Sequence, residues 1–418
     1  MLVSRATSRL VLVAVIALLA GCGAEGPRGA DLRPSASRTS ATPTRGAWAY
    51  EYVSEAAPAG NKVLDIAAVS AHEAWAIAQT YAPGSFHPEM PLLRFDGTRW
   101  RTYELSADLR DALGGGSLKS VTLHAGAGGA WLFAYVSHGP GTFPTRLAAR
   151  FDGSRWLPVA LPEGSDEVVG GPQVAVLGPS DVWVGEALQQ TAWHWGGRGW
   201  TATRLPLKVR AITADTAGGD LWVAGDVPDP QAEEGSDPDH PEPRRVQPTA
   251  ARWDGRRWQE VRMPDVETLR KGGTGLQALV DSLTARGADD VLATGVVSGP
   301  YTGSRDAPVD RPPFALHWDG ERWSKEDALP PGVLDAKWMR GADGKVRRIT
   351  RPPYVAGATG KTTGIDRKQT LRLTGIVRIP GTDEFWGVGS VGLESLGDAN
   401  FSRAVVVRYA PKGRTPAR

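Results

Sequence analysis

An all-β fold made of repeated four-stranded antiparallel blades is what the sequence predicts, and three observations carry the prediction. Glycine and proline are abundant, at 51 and 32 of 418 residues, which favours many turns and short strands over long helices. Sixteen tryptophans stand against eight tyrosines and eight phenylalanines, so one large, rigid side chain is repeating one packing task. Most of those tryptophans fall into two signatures that alternate along the chain, the mark of an internal repeat.

The first signature is an acid followed two positions later by Trp. It occurs as Glu73/Trp75, Asp181/Trp183, Asp220/Trp222 and Glu384/Trp386, with Gly129/Trp131 and Asp290/Leu292 as variants. The second is an aromatic residue, then Asp-Gly, then Trp five positions after the aromatic. Its strict copies are Phe95 to Trp100, Phe151 to Trp156, Trp253 to Trp258 and Trp318 to Trp323, with Trp195-Gly196-Gly197 to Trp200 as a variant.

Each copy divides into four short strands. In the first, Leu64, Ile66 and Ala68 alternate along one strand, a tight turn carries the acid, and Trp75 and Ile77 lie on the next. A variable loop leads to the strand of Leu93 and Phe95, and Asp-Gly is expected to form a two-residue hairpin turn into the strand of Trp100, with positive φ at both central residues. Four antiparallel strands repeated in this way are the blades of a β-propeller.

Blades fall near 62–105, 117–161, 168–206, 208–264, 276–330 and 370–411. The last has Glu384, Trp386 and Tyr409, then runs into a tail at 412–418 without a final Trp strand. Residues 47–53, with Trp48, Tyr50 and Tyr52, resemble that missing strand. The N-terminal strand is therefore expected to complete the last blade and close a six-bladed ring, leaving no open edge. Seven blades is the alternative, with 333–368 as a degenerate blade, although that stretch carries neither signature. The propeller domain thus spans 47–411, and its repeat accounts for fourteen of the tryptophans, leaving Trp193 and Trp338.

The N-terminus has a different character. Arg5 and Arg9 precede an apolar run from Leu10 to Gly21, too short for a permanent membrane span but suited to a secretory signal over 1–21. It ends in Leu19-Ala20-Gly21-Cys22, which resembles a bacterial lipobox. The resemblance implies cleavage before Cys22, a diacylglyceryl thioether on its sulfur, further acylation such as palmitate, and a cell-membrane location on the extracytoplasmic side. Residues 22–46 are rich in Gly, Ser, Thr, Pro and Arg, and read as a flexible tether. The repeats are similar to those of secreted bacterial propellers, including the sensor propellers of two-component regulators and, more loosely, kelch and Asp-box propellers. Here Gly directly follows Asp, which departs from the Asp-box pattern.

Composition bounds the function. A 41% hydrophobic chain is not disordered throughout, and a single Cys excludes a disulfide framework or a Cys-rich zinc site. Removing 1–21 leaves 46 basic and 46 acidic residues, which gives no support for nucleic-acid binding. A monomer without cofactor or metal is expected.

In a propeller, the loops between strands two and three and between blades share one face. All the long, variable segments fall there: 79–91, 135–146, 226–248, 296–313, 330–369, 106–116 and 265–275. A rigid scaffold with variable loops on one face reads as a binding surface. Residues 226–243 are acidic, with Asp226, Asp229, Glu233 and Glu234 among others, but lack the spacing of a calcium loop. Residues 335–368 are basic, with Lys337, Arg340, Lys345, Arg347, Arg348 and Arg351, and contain Trp338. Trp338, Arg340, Arg347, Arg348, Arg351, Asp229, Glu233 and Glu234 are the candidate binding residues, poised to select a charged partner.

The repeated acids are expected to cap their turns rather than catalyse, since a position needed in every blade is structural. Arg94, Arg150, His194, Arg252, His317 and Arg408 recur just before each aromatic, so the two histidines are not read as a metal pair. Arg378-Ile379-Pro380 matches a sialidase element in the wrong blade, and 357–362 lacks the first Gly of a phosphate loop. The expected function is non-catalytic binding of a protein, peptide or glycan. The alternatives are a carbohydrate-active hydrolase or lyase, and an envelope sensor or assembly factor.

Overall fold

The computed structural model describes residues 45–57, 60–81, 88–113, 117–127, 129–139, 145–162, 172–187, 189–214, 220–228, 246–269, 277–298, 312–327, 331–341, 344–352, 355, 369–393 and 401–411. The chain is an all-β propeller. Its first blade is Lys62–Ala68, Ala74–Gln79, Leu92–Phe95 and Trp100–Tyr103, and its second is Ser117–Gly126, Gly129–Ser137, Thr145–Phe151 and Trp156–Val159. The third is Gln173–Gly178, Asp181–Gly185, Thr191–Trp195 and Trp200–Arg204. The fourth is Lys208–Ala214, Leu221–Pro228, Val246–Trp253 and Trp258–Arg262. The fifth is Gln277–Gly287, Asp290–Ser298, Pro313–Trp318 and Trp323–Lys325. In each, consecutive strands pair antiparallel.

The last blade takes Thr370–Arg378, Phe385–Leu393 and Phe401–Tyr409 from the C-terminus, and its fourth strand is Trp48–Val53 from the N-terminus, with Trp48 opposite Tyr409. Between the fifth and last blades lies a small sheet of Gly332–Val333, Trp338–Arg340 and Val346–Arg348. Six four-stranded units and this three-stranded one are present among the described residues. The stretch without either signature has thus formed strands.

Two short helices occupy segments expected to be loops. Ala107–Leu113 starts after Ser106, whose hydroxyl accepts from the Leu109 N–H as an N-cap and donates to the Trp156 carbonyl. Buried Leu109 and Leu269, the latter from Val266–Leu269, then seat the helices on their neighbouring blades.

The tryptophan repeat is an interlock between blades. The second-strand Trp of one blade packs on the aromatic pair of the next blade's third and fourth strands. Trp75 lies 4.6 Å from Phe151 and 5.0 Å from Trp156, ring centre to ring centre. Trp131 meets Trp195 and Trp200, Trp183 meets Trp253 and Trp258, and Trp222 meets Trp318 and Trp323. Trp386 of the last blade meets Phe95 and Trp100 of the first, at 5.1 and 5.5 Å, so these two blades share one core. Tilted and edge-to-face geometry dominates, the arrangement that the ring quadrupoles favour.

The small sheet breaks the pattern on both sides. The fifth blade has Leu292 in place of Trp, and no aromatic pair stands opposite it in the small sheet. On the other side the aromatic pair survives, with Trp48 and Tyr409 5.4 Å apart, but Met339 takes the Trp position. Ile349 and Val355 complete that contact, and the Trp48 indole donates to the Ala336 carbonyl at 3.1 Å.

Two sequence expectations are corrected. The Asp-Gly turn is not a two-residue hairpin. Phe95 pairs directly with Trp100, so four residues span the turn, as the spacing of five requires. Gly97 carries φ of 89°, and Gly153, Gly255 and Gly320 fall between 91° and 100°. The Asp96 carboxylate accepts from the N–H groups of Thr98 and Arg99, and the same Asx pattern recurs at Asp152, Asp254 and Asp319. The Thr98 hydroxyl first, then the Arg99 and Thr98 amides, pull the Asp96 carboxyl down to about 2.

The second correction concerns the repeated acids, which do not cap their turns but pair across the sheet. The antiparallel register sets Trp75 opposite Arg94, Trp183 opposite His194, Trp222 opposite Arg252, Leu292 opposite His317 and Trp386 opposite Arg408. Each acid, two residues before that position, reaches the Arg or His of its own blade. Glu73–Arg94 and Asp181–His194 are 2.9 Å apart, Asp290–His317 is 3.1 Å, and Asp220–Arg252 and Glu384–Arg408 complete the set. The same side chain also covers the tryptophan: the Arg94 guanidinium sits 5.2 Å from Trp75, and the His194 ring stacks on Trp183 at 4.4 Å.

In the first, fourth, fifth and last blades a small residue (Ala78, Gly225, Gly295 and Gly389) stands three positions after the second-strand Trp or Leu292, beside a bulge in the first strand. In the fourth blade it is Gly225, facing the register break between Val209 and Ala211. A Cβ there would lie 1.7 Å from the Lys208 carbonyl oxygen. Gly225→Ala is therefore expected to lower stability by about 2–3 kcal/mol, read as a shift of the urea unfolding midpoint. An unchanged midpoint would show that the bulge relaxes without cost.

Candidate functional site

The inner face of the small sheet packs on the last blade through Val333 and Met339. Its outer face is set by register. Trp338 stands opposite Arg348, and Arg340 opposite Val346, so these four share one side of the sheet. Asp335 shapes the turn into the middle strand by accepting from the N–H groups of Lys337 and Trp338, repeating the Asx pattern of the blade turns.

This outer face is unlike the rest of the surface. Among the described residues, the exposed large hydrophobics are Leu334, Trp338 and Val346, at 45%, 42% and 50% exposure; Trp338 and Val346 belong to the small sheet, and Leu334 directly follows its first strand. Arg347, Arg348 and Arg351 are exposed and Arg340 is half-buried. Neither Arg340 nor Arg348 forms an ion pair among the described residues. The structure therefore brings the candidate residues Trp338, Arg340, Arg347 and Arg348 onto one small sheet, with Arg351 three residues beyond it.

The acidic candidates are placed differently. Asp229, Glu233 and Glu234 lie outside the described residues, as does Cys22. Asp226, read from sequence as part of the acidic loop, is instead the sixth residue of Leu221–Pro228. It is buried and paired with Arg210, so it belongs to the fourth blade's own structure.

The other sequence motifs also resolve into structural contacts. Arg378 donates to the Thr382 carbonyl and the Asp383 carboxylate, pinning the turn between its strand and the next. That turn borders an open cavity of about 410 Å³ lined by Arg378, Gly381, Thr382 and Asp383. A second cavity, of about 620 Å³, lies between the second and third blades and is lined by Arg150, Pro158, Leu161, Trp195, Arg198 and Trp200.

Sequence reasoning missed one residue of consequence. Glu51, on the N-terminal strand, is buried, and its carboxylate accepts from the indoles of Trp100 and Trp386 at 3.2 and 3.0 Å. Arg408 approaches its other oxygen at 3.3 Å. The available signal was a lone acid inside the aromatic strand Trp48–Val53.

No protein-family model matches the chain, and no curated protein matches it in sequence. Among solved structures it is similar to YCF48 from Cyanidioschyzon merolae, at 12% identity and TM-score 0.42, covering 88% of this chain and 100% of that one. The N-terminal domain of Nup159 matches at 10% identity and TM-score 0.37, over 89% and 98% of the two chains. A GH74 xyloglucanase from Xanthomonas campestris matches at 14% identity and TM-score 0.36, over 81% of this chain and 46% of the other. Likeness at this level carries no argument about function. The functional reading comes from the chain's own residues.

Proposed function

We propose that the chain is a lipid-anchored, extracytoplasmic β-propeller that works as a non-catalytic binding module, with the outer face of the small sheet as a contact surface. The observation that carries the binding reading is the contrast between that face and the repeat. In the repeat, acids, cations and aromatics are engaged with one another across strands and blades. On the small sheet, Trp338, Val346, Arg340 and Arg348 face outward together. An exposed apolar patch interleaved with arginines is the composition of a recognition surface. Its charge narrows the expected protein, peptide or glycan partner to an anionic one.

The anchor reading rests on the lipobox-like Leu19-Ala20-Gly21-Cys22. Two or more acyl chains on the mature N-terminus hold a protein on a bilayer where a single chain is marginal. Cys22→Ala is accordingly expected to move the protein from the membrane fraction to the soluble fraction. Retention equal to wild type after a salt wash would overturn the anchor. Hydrolytic or lyase activity of the purified protein toward polysaccharides would overturn the non-catalytic reading.

A further inference from the structure

We propose that the outer face of the small sheet docks on an anionic phospholipid bilayer, and so fixes how the propeller lies on the membrane. This rests on the reading of that face as a contact surface and names its occupant.

The first argument is where the N-terminal chain enters the fold. Gly46 donates to the Ala410 carbonyl at 2.7 Å, and its own carbonyl accepts from the Thr350 amide at 3.2 Å. Trp48 donates to the Thr350 carbonyl at 3.0 Å, and Ala47 forms a parallel bridge with Thr350. Thr350 is two residues beyond Arg348 on the same run of chain. The segment leading from Cys22 therefore joins the body against the edge of the small sheet. Even fully extended, residues 22–46 reach on the order of 80 Å. The small sheet's edge at Thr350 and the end of the last blade at Ala410 are what that segment meets on entering the fold.

The second argument is chemistry. Residues 331–351 hold six Lys and Arg against two Asp. Arg340 and Arg348 share their face with Trp338 and Val346, and Leu334 adjoins it. Tryptophan with an accessible apolar body and a polar indole settles at the headgroup level of a bilayer, and Lys and Arg beside it are drawn to anionic lipid. The three exposed apolar side chains are dispersed among cations rather than gathered in a groove. Neither the cavity at Arg150 and Trp200 nor that at Arg378 and Asp383 includes a residue of the small sheet. A dispersed aliphatic, aromatic and cationic face suits a bilayer surface better than a single peptide or sugar chain.

The test uses the otherwise complete protein carrying Cys22→Ala, so that no acyl chain contributes. Co-sedimentation is measured with vesicles of phosphatidylcholine alone and of phosphatidylcholine mixed with phosphatidylglycerol. Binding to the anionic vesicles is expected to exceed binding to the neutral ones by about tenfold or more, and to fall as salt is raised. Trp338→Ser combined with Arg348→Glu should remove that excess with no change in the unfolding midpoint. Arg378→Glu, an equal charge change on an exposed turn elsewhere, should leave it in place. Equal binding to both vesicle types, or an equal loss with Arg378→Glu, would overturn the proposal. A photo-crosslinking amino acid at position 338 in intact cells is expected to label lipid. A specific protein or glycan adduct instead would overturn the bilayer as occupant while leaving the binding-module reading intact.

Discussion

Glu51→Ala is expected to destabilise the propeller by about 3–5 kcal/mol, the range for breaking one side of a buried charged network. The carboxylate is the one acceptor serving two indoles at the junction of the first and last blades, and it also faces Arg408. Several interlocking tryptophans elsewhere lack such a partner: the indole nitrogens of Trp75, Trp131, Trp156, Trp222 and Trp323 are buried without one, whereas Trp200 donates to the Ala160 carbonyl. Removing Glu51 would turn Trp100 and Trp386 into two more unsatisfied donors, each costing about 1–3 kcal/mol. Arg408 keeps its contact with Glu384, which moderates the loss. Glu51→Gln retains an acceptor and should recover part of the stability. Urea unfolding of wild type and both variants checks this, and a Glu51→Ala midpoint within error of wild type would show that the seam holds through ring packing alone.

His124 is expected to make the fold acid-labile. It lies on the first strand of the second blade, opposite Trp131, with its ring 5.8 Å from that of Phe133. Nε2 is sealed from solvent without a partner, and burial pushes the imidazole down to about 4. The unfolded chain takes up a proton near its ordinary value of about 6.5, while the folded chain resists until about 4. Between those two values the unfolded state binds more protons, so stability is full above about pH 6.5 and falls as pH drops toward 4. The rest of the residue keeps some exposure, which trims the loss to about 2–3 kcal/mol. Asp65 works in the opposite sense, because burial raises its carboxyl despite the amides of Leu123 and Ile66. Comparing wild type with His124→Leu cancels the Asp65 contribution. Between neutral pH and pH 4 the wild-type midpoint should fall relative to that of His124→Leu, and parallel curves would remove His124 as the cause.

The blades were legible because burial of a large aromatic at fixed spacing leaves a mark in one dimension. Trp75, Trp183, Trp222 and Trp386 each need the same neighbour shape, so the spacing of Phe95 to Trp100 repeats with them. Both halves of these pairs were visible too, as the acids beginning at Glu73 and the Arg or His residues beginning at Arg94. Their contact was not, because it depends on which residues the register sets opposite each other. The Asp-Gly turn was misjudged for a related reason: the dipeptide suggested a two-residue turn, whereas the direct pairing of Phe95 with Trp100 leaves four residues between them. The small sheet was visible only as the alternative, a degenerate seventh blade over 333–368, because Met339 and Ile349 pack against the last blade without either signature. Trp338 stood out among the candidates by that same rule, being a tryptophan the repeat did not require.

The missing interlocks around the small sheet also bear on how freely this protein can change. In the regular blades a surface change on the second or third strand is felt by an ion pair, by the tryptophan beneath it and by the adjoining blade. The chain there is overdetermined, and most exchanges propagate. The small sheet is bound inward mainly through Met339, Ile349, Val355 and the Trp48 indole. Its outward positions are thereby uncoupled from the ring, and selection can redraw them without renegotiating the scaffold. Among homologues, that sheet is where divergence of specificity should be found while the aromatic skeleton stays constant.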